Sequence, residues 1–224
     1  MAAEQQGSPG ETPRPFAGEG PDSEWKERLP RPERIARTMS AFANGVGGKI
    51  WVGVRDDGSV IGVADVGETT AELRRIASDL VAPSPSLQVR TVACDGAQLV
   101  VAEVSSSELR PVLAPGRDGK LAPFVRDGSS TRPAPRAIQR VWSRGAARVT
   151  LDARERRLLR EIRLRAQDGT AGPDLKELAR VSRMGQRAAR RALVQLQAAG
   201  LVTCLLYTSP SPRDQRGSRM PSSA

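Results

Sequence analysis

Histidine is absent from the 224 residues, so histidine acid–base catalysis, a Ser-His-Asp triad and any histidine-bearing metal site are excluded. What remains to do chemistry is charge, hydroxyl and backbone amide. Arg183, Arg187, Arg190 and Arg191 recur at a spacing that displays them along a helix, where they can meet phosphates and base edges. Lys26, Arg126 and Arg132, with the hydroxyls of Ser129, Ser130 and Thr131, form a second set suited to phosphate oxygens. Each set also has an ordinary reading, as a solvated helix face or as surface ion pairs. Asn44, Gly45, Gly47 and Gly48 join a helix to a strand. They either expose backbone N–H groups to an oxygen ligand or make a turn that simply needs glycine. The segment is not a P-loop, which runs from strand to helix and ends in Lys-Ser/Thr.

The charge is uneven. Residues 1–149 carry 20 Lys and Arg against 18 Asp and Glu, whereas residues 150–203 carry 12 against 6. The net charge of +10 therefore lies mainly toward the C-terminus, and its sign favours a polyanionic partner. Two cysteines, Cys94 and Cys204, do not make a disulfide framework, which suits a reducing cytoplasm. There is no apolar run long enough to cross a bilayer and no basic-then-apolar export signal. A soluble cytoplasmic protein is the expectation, with no membrane partner.

Periodicity supplies the elements that position these residues. Residues 1–16 are rich in Pro, Gly, Glu and Gln and cannot offset their ordering entropy, so they are expected to be a disordered tail. A helix is predicted over 32–44 through Ile35, Met39 and Phe42, with Pro32 in its first turn. Residues 49–54 and 60–63 read as a hairpin around the Asp56–Gly58 turn. Residues 87–94 and 97–104 read as a second hairpin around Asp95–Gly96, a dipeptide that readily supplies positive φ. Helices are predicted over 70–81 and 134–143, and a strand over 123–126. Trp25 and Trp51 are too few for a base-stacking platform and are expected in the core or at its rim. The class is α+β: a mixed sheet with hairpins and flanking helices. From residue 153 only helices follow, with Leu158, Leu159 and Ile162 on the first, Leu175, Leu178 and Ala179 on the second, and Ala188, Ala192, Leu193 and Leu196 on the third. Ser182 is placed to cap that third helix, over 183–199.

Residues 204–214 continue no helical or strand period. They back-translate to a frame of a common transposase-type sequencing adapter, and residues 218–224 back-translate to its flow-cell end. Residues 204–224 are therefore expected to be non-native, which removes Tyr207 and Cys204 from the argument.

Five segments, Glu24-Trp-Lys26, Ser40-Ala-Phe-Ala-Asn44, Gly47-Gly48, Gly53-Val-Arg-Asp56-Asp-Gly58 and Val125-Arg126-Asp-Gly-Ser-Ser-Thr131, together resemble the Schlafen/AlbA-type DNA-binding domain, over about residues 17–145. Residues 175–202 are similar to the winged helix-turn-helix of transcriptional regulators. The second domain, 150–203, is thus a small all-α winged-helix module lacking its wing. The combination implies a bacterial DNA-binding transcriptional regulator with no cofactor. Schlafen nucleases resemble the first domain and use three acidic residues, which match Glu19, Glu24 and Asp56 here. A metal-dependent endoribonuclease acting on RNA with Mg or Mn is the alternative implied by that likeness. A dimerising or protein-interaction scaffold, as a homodimer, is a third reading.

Overall fold

The computed structural model describes residues 18–143, 151–167 and 174–202. Both the expected N-terminal tail, residues 1–16, and the adapter-like segment, residues 204–224, lie outside them. Two compact units divide the chain: residues 1–150 with 193–204, and residues 151–192 with 205–224.

The first unit is α+β. Strands β1 (Ser23–Lys26), β2 (Gly48–Val52), β3 (Leu87–Cys94) and β4 (Ala97–Val104) form a sheet in the order β1-β2-β4-β3. β1 runs parallel to β2 and the other pairs are antiparallel, so the sheet is mixed. A second, antiparallel sheet holds β5 (Leu113–Pro115), β6 (Leu121–Asp127) and β7 (Ser130–Pro133). Helix α1 (Pro32–Asn44) packs against both sheets. Its Ile35, Met39 and Phe42 meet Ile50 and Val52 of β2, Val100 and Ala102 of β4, and Phe124 of β6 in one buried cluster. Helix α2 (Val66–Asp79) adds Leu73 and Ile76. On the opposite face of the first sheet, alternate residues Trp51, Leu99 and Val101 bury with Trp25, as the two-residue period of a strand requires. Both tryptophans are core.

Several elements differ from the sequence reading. Residues 60–63 form no strand: only a single bridge joins Val54 to Val60. The N–H groups of Ile61 and Gly62 both turn back onto the Gly53 carbonyl, at 2.9 and 3.0 Å. Gly53 and Gly62 hold φ values of +100° and +75° there, a curl that a regular ladder cannot accommodate. Helix α2 begins at Val66 rather than 70 because Asp65 caps it, accepting from the Glu68 N–H at 2.8 Å. The short strands β1, β5 and β7 were not predicted. The closing helix α3 spans Arg136–Ser143.

The second unit contains α4 (Ala153–Gln167), α5 (Leu175–Val181) and the start of α6 (Gln186–Ala198). Asp152 and Glu155 make a reciprocal capping box on α4: Asp152 Oδ1 accepts from the Arg154 and Glu155 N–H groups, and Glu155 Oε2 accepts from the Asp152 N–H. Leu158, Leu159 and Ile162 of α4 and Leu178 and Ala179 of α5 are buried. Arg165 bridges Glu161 of its own helix and Glu177 of α5 at 2.8 and 2.9 Å. Ser182 does not cap the third helix. It closes α5, its hydroxyl is buried without a partner among the described residues, and α6 starts after Gly185, with Arg183 at φ +53° in the turn.

The expected boundary near residue 150 is also refined. From Leu193 onward α6 belongs with the first unit. There Ala198 joins Val125, Ala134, Ile138 and Trp142 in a buried cluster, and the Trp142 indole N–H donates to the Ala198 carbonyl at 2.8 Å. Among the described residues no helix is long and apolar enough to cross a membrane.

Candidate functional site

In β1, Glu24 and Lys26 are two residues apart and so project to one face. Glu24 is 6% exposed. Its Oε2 accepts from Arg126 Nη1 at 2.7 Å and its Oε1 faces Lys26 Nζ at 2.8 Å. Arg126 comes from β6, opposite Thr131 of β7, and is 3% exposed. Its Nη1 also donates to Thr131 Oγ1 at 3.0 Å, and its Nη2 to the carbonyls of Gly20 and Ser23 at 2.6 and 3.3 Å. The guanidinium stands 5.1 Å from the Phe42 ring centroid. Only Nε lacks a partner. A charge taken this far from water persists only when its counter-charge and donors are so placed.

Glu19 is exposed, and its Oε1 accepts from the Trp25 N–H at 3.0 Å and from Lys26 Nζ at 3.2 Å. Asp56 is exposed in the turn after β2. The next residue, Asp57, binds the Ser59 N–H at 2.9 Å, and hydrogen bonds from Ser59 hold its carboxyl below the ordinary carboxylate value.

Glu19, Glu24, Lys26, Asp56, Ser129, Ser130 and Thr131 line one cleft of about 640 Å³. The same cleft is lined by Arg34, Arg37 and Arg117, which the sequence reading did not single out. Arg34 and Arg37 lie one turn apart on α1; Arg117 sits in the connection between β5 and β6. Arg37 Nε donates to the Pro115 carbonyl at 2.7 Å and so anchors that connection. Arg34 and Arg37 share only an i, i+3 spacing and Arg117 has no local signature, so only the fold brings the three together.

The expected ligand set for a divalent cation does not fit. The three carboxylates share the cleft, yet among the described residues no group of three acidic or cysteine side chains is placed to hold a metal ion. Both oxygens of Glu24 are committed to Arg126 and Lys26, and the Lys26 ammonium also reaches Glu19. A cation at that point already occupies the position a metal would need.

Other expected site residues are placed elsewhere. Arg126 is an interior group, not part of a phosphate-facing surface, because Glu24 and two carbonyls consume it. Arg132 is exposed, pairs with Asp127 at 3.1 Å and does not line the cleft. The glycine loop turns its donors inward: the N–H groups of Gly45 and Gly47 both reach the Phe42 carbonyl, and that of Lys49 reaches the Asp22 carbonyl. A Cβ on Gly48 would stand 2.5 Å from the Phe42 ring, so glycine is there for close packing. Asn44 is buried and works as a cross-link, accepting from the Val112 N–H at 2.8 Å and donating to the Val112 and Phe124 carbonyls at 2.7 and 3.0 Å. In the second unit, Arg183, Arg187, Arg190 and Arg191 are all exposed. None of the four forms an ion pair among the described residues.

The family model described as Schlafen, AlbA_2 matches residues 19–135. The chain belongs to the Schlafen AlbA_2 family. All residues of the cleft lie inside the Schlafen AlbA_2 match. Solved structures similar to the chain include the DIP2311 protein from Corynebacterium diphtheriae, at 18% identity and a TM-score of 0.40 over 66% of this chain and 30% of that one. Another is the N-terminal domain of a RecG-related protein from Nitrosomonas europaea, at 18% identity and a TM-score of 0.35 over 50% of this chain and 83% of that one. The chain thus spans less than a third of the length of the first of these. No curated protein sequence matches it. Family membership points to a nucleic-acid-related role.

Proposed function

We propose that this Schlafen AlbA_2 protein is a DNA-binding transcriptional regulator whose second unit is a winged-helix-type module that reads duplex DNA. The observation that carries the reading is the set Arg183, Arg187, Arg190 and Arg191, exposed and without acidic partners among the described residues. The contrast within the unit is direct: Arg165, on α4, is held by two glutamates, whereas these four are not. The order is a short helix, a turn and a longer helix, with Arg187, Arg190 and Arg191 in the first half of α6. That is where a recognition helix contacts DNA.

The test is duplex binding measured as a function of salt. Each phosphate neutralised contributes about −0.9 to the slope of log K against log [salt]. Arg187→Ala with Arg190→Ala is expected to weaken binding about tenfold or more and to reduce the slope by about 2. An unchanged slope overturns the reading. Cleavage of structured RNA that requires Mg or Mn and disappears in Glu24→Gln would favour a ribonuclease instead.

A further inference from the structure

The Arg126 guanidinium leaves one nitrogen over. Its two terminal nitrogens bond to Glu24, Thr131 and the carbonyls of Gly20 and Ser23, yet Nε is buried and meets no acceptor among the described residues. The side-chain amide of Gln197 is in the same situation. That residue is 5% exposed, and its buried Nε2 has no partner among the described residues either. Both residues line one small cavity, together with Ala41, Asn44 and Gly45 at the end of α1. Gln197 lies in the last turn of α6, which belongs to the first unit, so the cavity lies inside that unit. It leaves about 10 Å³ for the centre of a water-sized sphere.

An unpaired buried donor carries its full desolvation cost, and two of them bordering one gap call for a common acceptor. The end of α1 adds an acceptor of its own. The Gly45 N–H turns to the Phe42 carbonyl at 3.0 Å instead of closing the regular helical bond to Ala41. The Ala41 carbonyl is thereby passed over, and Ala41 is fully buried on the cavity wall.

We infer that this cavity is the site of one ordered water, which accepts from Arg126 Nε and Gln197 Nε2 and donates to the Ala41 carbonyl. A buried water makes about three hydrogen bonds, and the three groups here supply two donors and one acceptor. A small anion would suit the donors but not the place. It would stand at the C-terminal end of α1, where the helix dipole is negative, and against a carbonyl lone pair. Glu24 already balances the Arg126 charge. The Asn44 side chain cannot take the water's part, because Val112 and Phe124 hold it. An apolar occupant would leave all three groups unpaired. Through the water, Gln197 is a positioning residue for Arg126. The Glu24 pair, the end of α1 and the end of α6 meet at one polar junction.

Crystals of the full chain, grown in chloride and again in bromide at a resolution that shows ordered solvent, test the assignment. The expected result is one oxygen-sized peak about 2.7–3.2 Å from both nitrogens, without anomalous signal at the bromine edge. An empty gap overturns the inference, and so does bromide in that position. Two variants separate a water site from simple packing. Gln197→Ala leaves room for further water beside Arg126 Nε, so the urea midpoint should fall slightly. Gln197→Leu fills the gap with apolar atoms and strands Nε, so the midpoint should fall further. A side chain that only packs gives the reverse order, since leucine keeps volume that alanine loses, and that order overturns the inference. The wild-type crystals carry the test should either variant fail to fold.

Discussion

Arg126 and Arg187 are the same residue type in opposite situations. In the interior of the family domain, Arg126 is shielded from water and spent on a carboxylate, a hydroxyl and two carbonyls. On the second unit, Arg187 is exposed and forms no ion pair among the described residues. The first arrangement makes a charge structural, since removing either partner strands the other where hydration cannot reach it. The second leaves the charge available, since losing it costs the fold little. Sequence alone had put both among the residues that meet phosphate; burial separates them.

The sharpest way to break this comparison is Arg126→Met. It leaves Glu24 buried without its main partner and should cost about 3–5 kcal/mol, read as a lowered midpoint in urea unfolding. If that variant unfolds like wild type, the interior pair is not structural. Asn44→Ala comes next. It removes four hydrogen bonds and leaves the Val112 N–H without its acceptor, an expected loss of about 2–3 kcal/mol in the same assay. Arg187→Ala with Arg190→Ala should move stability by less than about 0.5 kcal/mol while weakening duplex binding, which would place those residues wholly on the functional side. The smallest effect belongs to Glu177. Its carboxyl is held below the ordinary value of 4.5, chiefly by hydrogen bonding to Arg165. A depressed carboxylate contributes stability that is present above its ordinary pKa and is lost as pH falls through the folded value. Glu177→Gln should therefore lower thermal stability slightly at neutral pH and flatten the acid limb, the two proteins converging as pH falls below 4.5 through the folded value.

How far the molecule could be read from its sequence depended on range. The hairpin 87–104 is legible because Asp95-Gly96 sits between two runs that need only each other. The bounds of α1 follow from Pro32 at one end and Asn44-Gly45 at the other. β1 is four residues long and pairs in parallel with β2 across an intervening helix, so nothing local announces it. In the cleft, the acidic trio and the Ser129–Thr131 hydroxyls were visible through family likeness. The pairing of Glu24 with Arg126 spans 102 residues and was not visible. That pairing changes the chemistry, turning an expected metal cradle into a neutralised wall. Arg34 and Arg37 carried one faint signal, their i, i+3 spacing on the polar side of an amphipathic helix. Arg117 carried none.

The bond from the Trp142 indole to the Ala198 carbonyl gives the protein an optical sensor of its own. Trp25 and Trp51 are buried elsewhere in the domain, so replacing them with phenylalanine leaves a single tryptophan, beside the final turn of α6. Its emission should be blue-shifted while that turn is seated, and fraying of the turn should wet the ring and shift the spectrum to the red. The end of the last described helix can thus be followed in real time without an attached dye.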